Sequence, residues 1–70
     1  MENYSFFLFS QLYNAIMPQT ATEMSYDELF YEVSDLYEEY KESTYNDSNQ
    51  PEYECVVNYL SNKKTILINP

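Results

Sequence analysis

The chain has no glycine, no histidine and no tryptophan, a single cysteine, and three cations, all lysine. Each absence excludes something. Without histidine the commonest general base is missing, and neither a Ser–His nor a Cys–His nucleophile pair can be assembled. Without glycine there is no phosphate-binding loop and no dinucleotide fingerprint. Turns must also form without the residue that takes positive φ freely. Cys55 alone allows no intramolecular disulfide and no cysteine-based metal site. Its place in an apolar run reads as a small buried residue. The longest apolar run is far short of a membrane span. The first cation is Lys41, so the basic leader of a secreted protein is missing and a cytoplasmic setting is expected.

What is present is acid and tyrosine. Twelve carboxylates against three lysines give a net charge of −9, and nine of the 70 residues are tyrosine. That charge has the wrong sign for direct binding to nucleic acid and for an anionic membrane surface. It has the right sign for a basic groove, the kind that holds DNA or RNA. A hydrophobic content of 44% with 19% aromatics separates the chain from a disordered acidic tail. At this length one small domain is expected, with a thin margin of stability. Pairing with a second copy to cover spare apolar surface is one way to widen that margin, so a homodimer is a possible state.

Residues 3–17 read as a first helix, with Asn3 as its N-cap. Phe6, Phe9, Leu12, Tyr13 and Ile16 recur at helical spacing, widened by Phe7, Leu8 and Met17. Pro18 ends it, and Gln19 to Met24 read as a connector. A second helix over 26–42 has a complete start signal. Ser25 and Glu28 fit a capping box, and Met24 and Leu29 stand where a hydrophobic staple sits. At about 100° per residue, Leu29, Phe30, Val33, Leu36, Tyr37 and Tyr40 fill one face. Glu28, Glu32, Asp35, Glu38, Glu39 and Glu42 fill the other, with Tyr31 among them. Residues 43–52 form a polar loop. Tyr53, Cys55, Val57 and Tyr59 then alternate as in a β-strand. Ser61 to Lys64 read as a hairpin turn and Thr65 to Ile68 as the return strand, which places a hairpin over 53–69. The expected fold is therefore α+β, ordered ααββ, in a single small domain.

No enzymatic activity and no cofactor follow from this pattern. Paired carboxylates serve glycosidases, but these acids line one exposed helix and not a cleft. Asp47, Ser48, Asn49 and Glu52 match part of a calcium loop without its glycine or its terminal glutamate spacing. A solvated turn is the simpler reading.

The carboxylate face is the candidate site. From Glu28 to Glu42 it spans roughly 21 Å at 1.5 Å per residue, and Asp47, Glu52 and Glu54 could extend it past the helix end. Six like-charge neighbour pairs arise (28/32, 32/35, 35/38, 35/39, 38/42 and 39/42). Each such pair costs an isolated helix about 0.2–0.5 kcal/mol, which together would be a noticeable drain on so small a fold. An acidic surface kept for solubility is the plain alternative. Tyr31 in the middle of the face, with Tyr45 and Tyr53 flanking the acidic loop, suits an interface, because tyrosine buries area while keeping a hydrogen-bonding end. For Tyr37, Tyr40 and Tyr59 core packing is the simpler role.

In size, charge and tyrosine-rich acidic helix, carried by the stripe from Glu28 to Glu42, the chain resembles the small phage-encoded inhibitors of host defence. These include anti-CRISPR proteins and DNA-mimic anti-restriction proteins. The resemblance is of overall character, with no diagnostic motif. It implies a stoichiometric inhibitor that occupies the nucleic-acid site of a basic partner, a CRISPR effector or a nuclease, in the host-cell cytoplasm. A host transcription or repair protein is another possible target, and binding away from the nucleic-acid groove is another possible mode. The competing reading is a small interaction or assembly subunit, or an antitoxin-like protein, that acts through Phe7, Leu8 and Phe9 of the first helix.

Overall fold

The computed structural model describes residues 2–68, with side chains described from Tyr4 to Thr65. Four helices follow one another, α1 (Glu2–Ile16), α2 (Pro18–Glu23), α3 (Tyr26–Lys41) and α4 (Glu52–Ile68), and no strand occurs among the described residues. The expected α+β class and its C-terminal hairpin are therefore wrong. The region read as strand, turn and strand is one helix up to Ile68, and residue 69 lies outside the described residues.

The physical reason lies in which side chains are buried. Along α4 these are Cys55, Val56, Tyr59 and Leu60, a spacing of one, three and one that only a helix turns toward a single core. Val57, counted as part of the alternation, is half-buried, and Tyr53 is exposed. Valine and tyrosine favour strands mainly where a sheet surface exists to pack on. Here the described residues form no sheet, and burial against α1 decides. The Pro51 carbonyl accepts from the Cys55 amide at 3.2 Å, and Glu52 and Glu54 occupy the first turn, where acids favour the positive end of the helix dipole.

α1 is the central element and packs on the other three. It begins at Glu2, so Asn3, expected at the cap position, lies within the helix. It ends at Ile16, and Pro18 starts α2 at the position where a missing N–H does no harm. The expected connector is thus largely a short helix. Met17 is the joint. Its amide donates to Tyr13 at 2.8 Å, its carbonyl accepts from Ala21 at 3.1 Å, and its side chain is buried.

The core is aromatic. Phe9, fully buried, meets Tyr37 at 5.5 Å, Tyr40 at 5.6 Å and Tyr59 at 6.1 Å between ring centroids. One residue of α1 therefore clasps both α3 and α4. Truncating such a phenylalanine costs about 3–5 kcal/mol, comparable to the whole stability of a domain this size. Tyr13, Val33, Val56 and Leu60 complete the interior. Cys55 is buried, as its neighbours suggested.

The lack of glycine shows at the end of α3. No described residue has positive φ, so the left-handed cap that commonly closes a helix is not used. Side chains close it instead. Ser43 Oγ donates to the Tyr40 carbonyl at 2.7 Å, and Asn46 Nδ2 donates to the Lys41 carbonyl at 3.0 Å.

Candidate functional site

At the start of α3 the capping box forms as the sequence indicates. The Glu28 amide donates to Ser25 Oγ at 3.3 Å, and the Ser25 amide donates to Glu28 Oε1 at 3.0 Å. The Ser25 amide, and after it the Ser25 hydroxyl, hold the Glu28 carboxyl below its ordinary range. Met24 and Leu29 are both half-buried against the core, as a staple requires. The helix that carries the acids is thus fixed at its first turn, and Val33 and Tyr40 anchor it further along.

All six helical acids are exposed, but they are not equivalent. Glu39 accepts from Lys63 Nζ at 2.8 Å and from the Tyr59 hydroxyl at 3.2 Å. Its carboxyl is lowered, first by the Lys63 hydrogen bond and then by Tyr59 and the lysine charge. Glu38 pairs with Lys41 at 3.2 Å. Two of the three lysines therefore serve the C-terminal half of the stripe, each also lying over a tyrosine ring, Lys41 on Tyr37 at 4.9 Å and Lys63 on Tyr59 at 5.6 Å.

The side chains of Glu32, Asp35 and Glu42 have no hydrogen bond or ion pair among the described residues. Glu28, Tyr31, Glu32 and Asp35, at i, i+3, i+4 and i+7, form one contiguous patch. Tyr31 is 68% exposed at its centre. The negative charge of Glu32 reaches across to α1, where it adds to burial in raising the Tyr13 phenol.

The acids beyond α3 divide differently. Asp47 Oδ1 accepts from the Asn49 amide at 2.9 Å, and Glu52 Oε1 accepts from Ser5 Oγ of α1 at 2.8 Å. Both are half-buried and serve the fold. Glu54 is exposed. Of the two tyrosines beside the loop, Tyr45 packs on Tyr59 at 5.8 Å and Tyr53 is exposed. No cluster of carboxylates and Cys55 able to hold a metal ion occurs among the described residues.

A second feature borders the acidic patch. Phe30, expected in the core, is 55% exposed. It forms one lip of a groove of about 260 Å³ between α1 and α3, lined by Phe6, Ser10, Asn14, Tyr26, Leu29, Phe30 and Val33. Phe6 contacts Phe30 at 6.2 Å, and Phe30 contacts Tyr31 at 5.9 Å, both edge to face. The groove thus runs into the acidic patch through adjoining rings. The sequence signal for it was Phe30 next to Tyr31 at the edge of the apolar stripe, but placing a groove there needs the position of α1.

Comparison with protein-family models, with curated proteins and with solved structures finds no match. Fold and surface alone define the class, a small all-helical domain with one anionic, aromatic face. Among the described residues no helix is long and apolar enough to cross a membrane.

Proposed function

We propose that this protein is a non-enzymatic inhibitor that binds a basic nucleic-acid-binding protein in the cytoplasm and blocks its DNA site by charge mimicry. A CRISPR effector or a nuclease is the kind of target meant. The observation that carries the reading is the patch of Glu28, Tyr31, Glu32 and Asp35, exposed on a capped helix, with Glu32 and Asp35 lacking an ion pair among the described residues. Carboxylates so placed pair with target arginines and lysines, and a central tyrosine supplies buried area. Complementary charge of this kind steers association and makes it salt-dependent.

The test is capture from host lysate on the immobilised protein, with elution by a salt gradient, followed by competition with duplex DNA. A basic partner released by salt and displaced by DNA is expected. A partner that binds equally well with its DNA already loaded would show that occlusion is wrong. The alternative through the first helix retains one supporting observation, Phe7 at 59% exposure. Phe9 is fully buried and unavailable to a partner.

A further inference from the structure

We propose that the groove between α1 and α3 anchors the partner, receiving one apolar side chain from a segment that bears lysine or arginine. The proposal rests on the reading above, that the partner is cationic, and specifies how it is held. The groove floor is apolar, made by Val33, Leu29 and Phe6. Its lips are aromatic and wet, Tyr26 at 89% and Phe30 at 55% exposure. At about 260 Å³ it lies below the range of roughly 300–1,000 Å³ usual for small-molecule sites, so a side chain suits it better than a free ligand.

Charge selects the bearer of that side chain. No lysine occurs before position 41, so no lining residue of the groove is a cation, while Asp27 follows Tyr26 at its lip and the Phe30–Tyr31 contact leads from it to the patch that holds Glu32 and Asp35. A second copy would bring its own −9 against the first, which opposes self-association. A cationic segment gains on both counts, because lysine or arginine beside the anchor can also lie over Phe30 and Tyr31. The protein uses that arrangement internally, with Lys41 over Tyr37 and Lys63 over Tyr59. The contact from Phe30 to Tyr31 makes groove and carboxylates one continuous surface.

The experiment titrates the intact protein with two short lysine-rich peptides, one with a single central leucine and its twin with serine there. Amide spectra locate each peptide. The leucine peptide is expected to bind at least about tenfold tighter, the value of burying one leucine side chain, and to shift Ser10, Asn14 and Phe30. Filling the groove with Ser10→Trp, or removing its lip with Phe30→Ala should the first variant misfold, should erase the preference. Glu32→Lys with Asp35→Lys should weaken both peptides while preserving the preference. Equal binding of the two peptides, with salt dependence intact, overturns the groove and leaves the charge reading standing. Indifference of both peptides to salt and to charge reversal removes the charge reading instead. A glutamine-for-lysine version of the leucine peptide that binds as tightly, or a dimer of the peptide-free protein dissolved by Ser10→Trp, overturns the cationic occupant.

Discussion

Two buried tyrosines in one core should respond in opposite directions to the same edit, loss of the phenolic hydroxyl. Tyr40 and Tyr59 stack edge to face at 5.5 Å and are 1% and 4% exposed. The Tyr59 hydroxyl donates to Glu39 at 3.2 Å. The Tyr40 hydroxyl is buried with no nitrogen or oxygen partner among the described residues. Its pKa is pushed up to about 12, mainly by burial, with Cys55 and Glu52 contributing. The Cys55 thiol beside it is a weak partner, and its own proton is directed to the Asp47 carbonyl at 3.5 Å. A buried hydroxyl left unpaired costs about 1–3 kcal/mol, whereas an ordinary hydrogen bond contributes about 0.5–1.5 kcal/mol. Tyr40→Phe should therefore stabilise by about 1 kcal/mol or more, and Tyr59→Phe should destabilise by about 0.5–1 kcal/mol, the low end because its acceptor is exposed. At about 4–8 °C per kcal/mol for a domain of this size, the two melting temperatures should separate by several degrees around that of the parent. Urea unfolding followed by far-UV circular dichroism, with unchanged m-values, measures both. A Tyr40→Phe variant as destabilised as Tyr59→Phe would refute the reasoning, because it would mean that a trapped water or the sulfur fully satisfies that hydroxyl.

Replacing Asn62 by proline separates helix from hairpin. Asn62 is exposed inside α4, so the change should cost about 3 kcal/mol or more and lower the helical signal, whereas a turn would tolerate it. Glu39→Gln should lower stability at neutral pH. The lowered carboxyl contributes stability above the ordinary carboxylate pKa, and that contribution fades as pH falls through the folded value. Parent and variant unfolding curves should therefore converge on acidification, and a constant gap would count against the Lys63 contact. At the alkaline end Tyr40 and Tyr59 are both raised by burial. Their contribution is complete below the ordinary tyrosine pKa and lost as pH climbs through the folded values, so absorbance titration and unfolding should coincide there. Glu32→Lys with Asp35→Lys should leave melting unchanged or raise it, by about 0.2–0.5 kcal/mol for each repulsive pair removed, while salt-sensitive binding to a basic partner is lost. A fall in both would make the acids structural.

α3 was legible because its signals agree. A capping box, a staple and an apolar stripe of period 3.6 all fix the same start and the same inward face. α1 was legible for its stripe, with Phe9 and Tyr13 buried as the spacing requires. α4 was not, because Tyr53, Cys55, Val57 and Tyr59 satisfy period two while Cys55, Val56, Tyr59 and Leu60 satisfy the helical period, and local propensity favours the former. Pro51 followed by Glu52 and Glu54 was the overlooked helix start. In the site, exposure of the acids followed from the wheel. The arrival of Lys63 at Glu39, 24 positions away in the chain, did not, since it depends on where α4 packs. Phe30 lies at the edge of its stripe, and only the position of α1 decides whether that edge is covered.

The placement of the lysines changes what the acidic helix signifies. Of the six like-charge pairs along α3, four involve Glu38 or Glu39, which are matched by Lys41 and Lys63. Two remain, 28/32 and 32/35, and in the first of these Glu28 is held by the capping box. Self-repulsion is therefore roughly a third of what the bare sequence implies, and the ridge cannot be called functional because it is costly. The argument shifts from amount to position. Of the carboxylates without an ion pair among the described residues, Glu32 and Asp35 share their patch with Tyr31, whose ring contacts Phe30 at the lip of the groove. Solubility alone would be served by acids placed anywhere on the surface. A binding face needs charge, aromatic rings and a recess together, and α3 supplies all three within its first three turns.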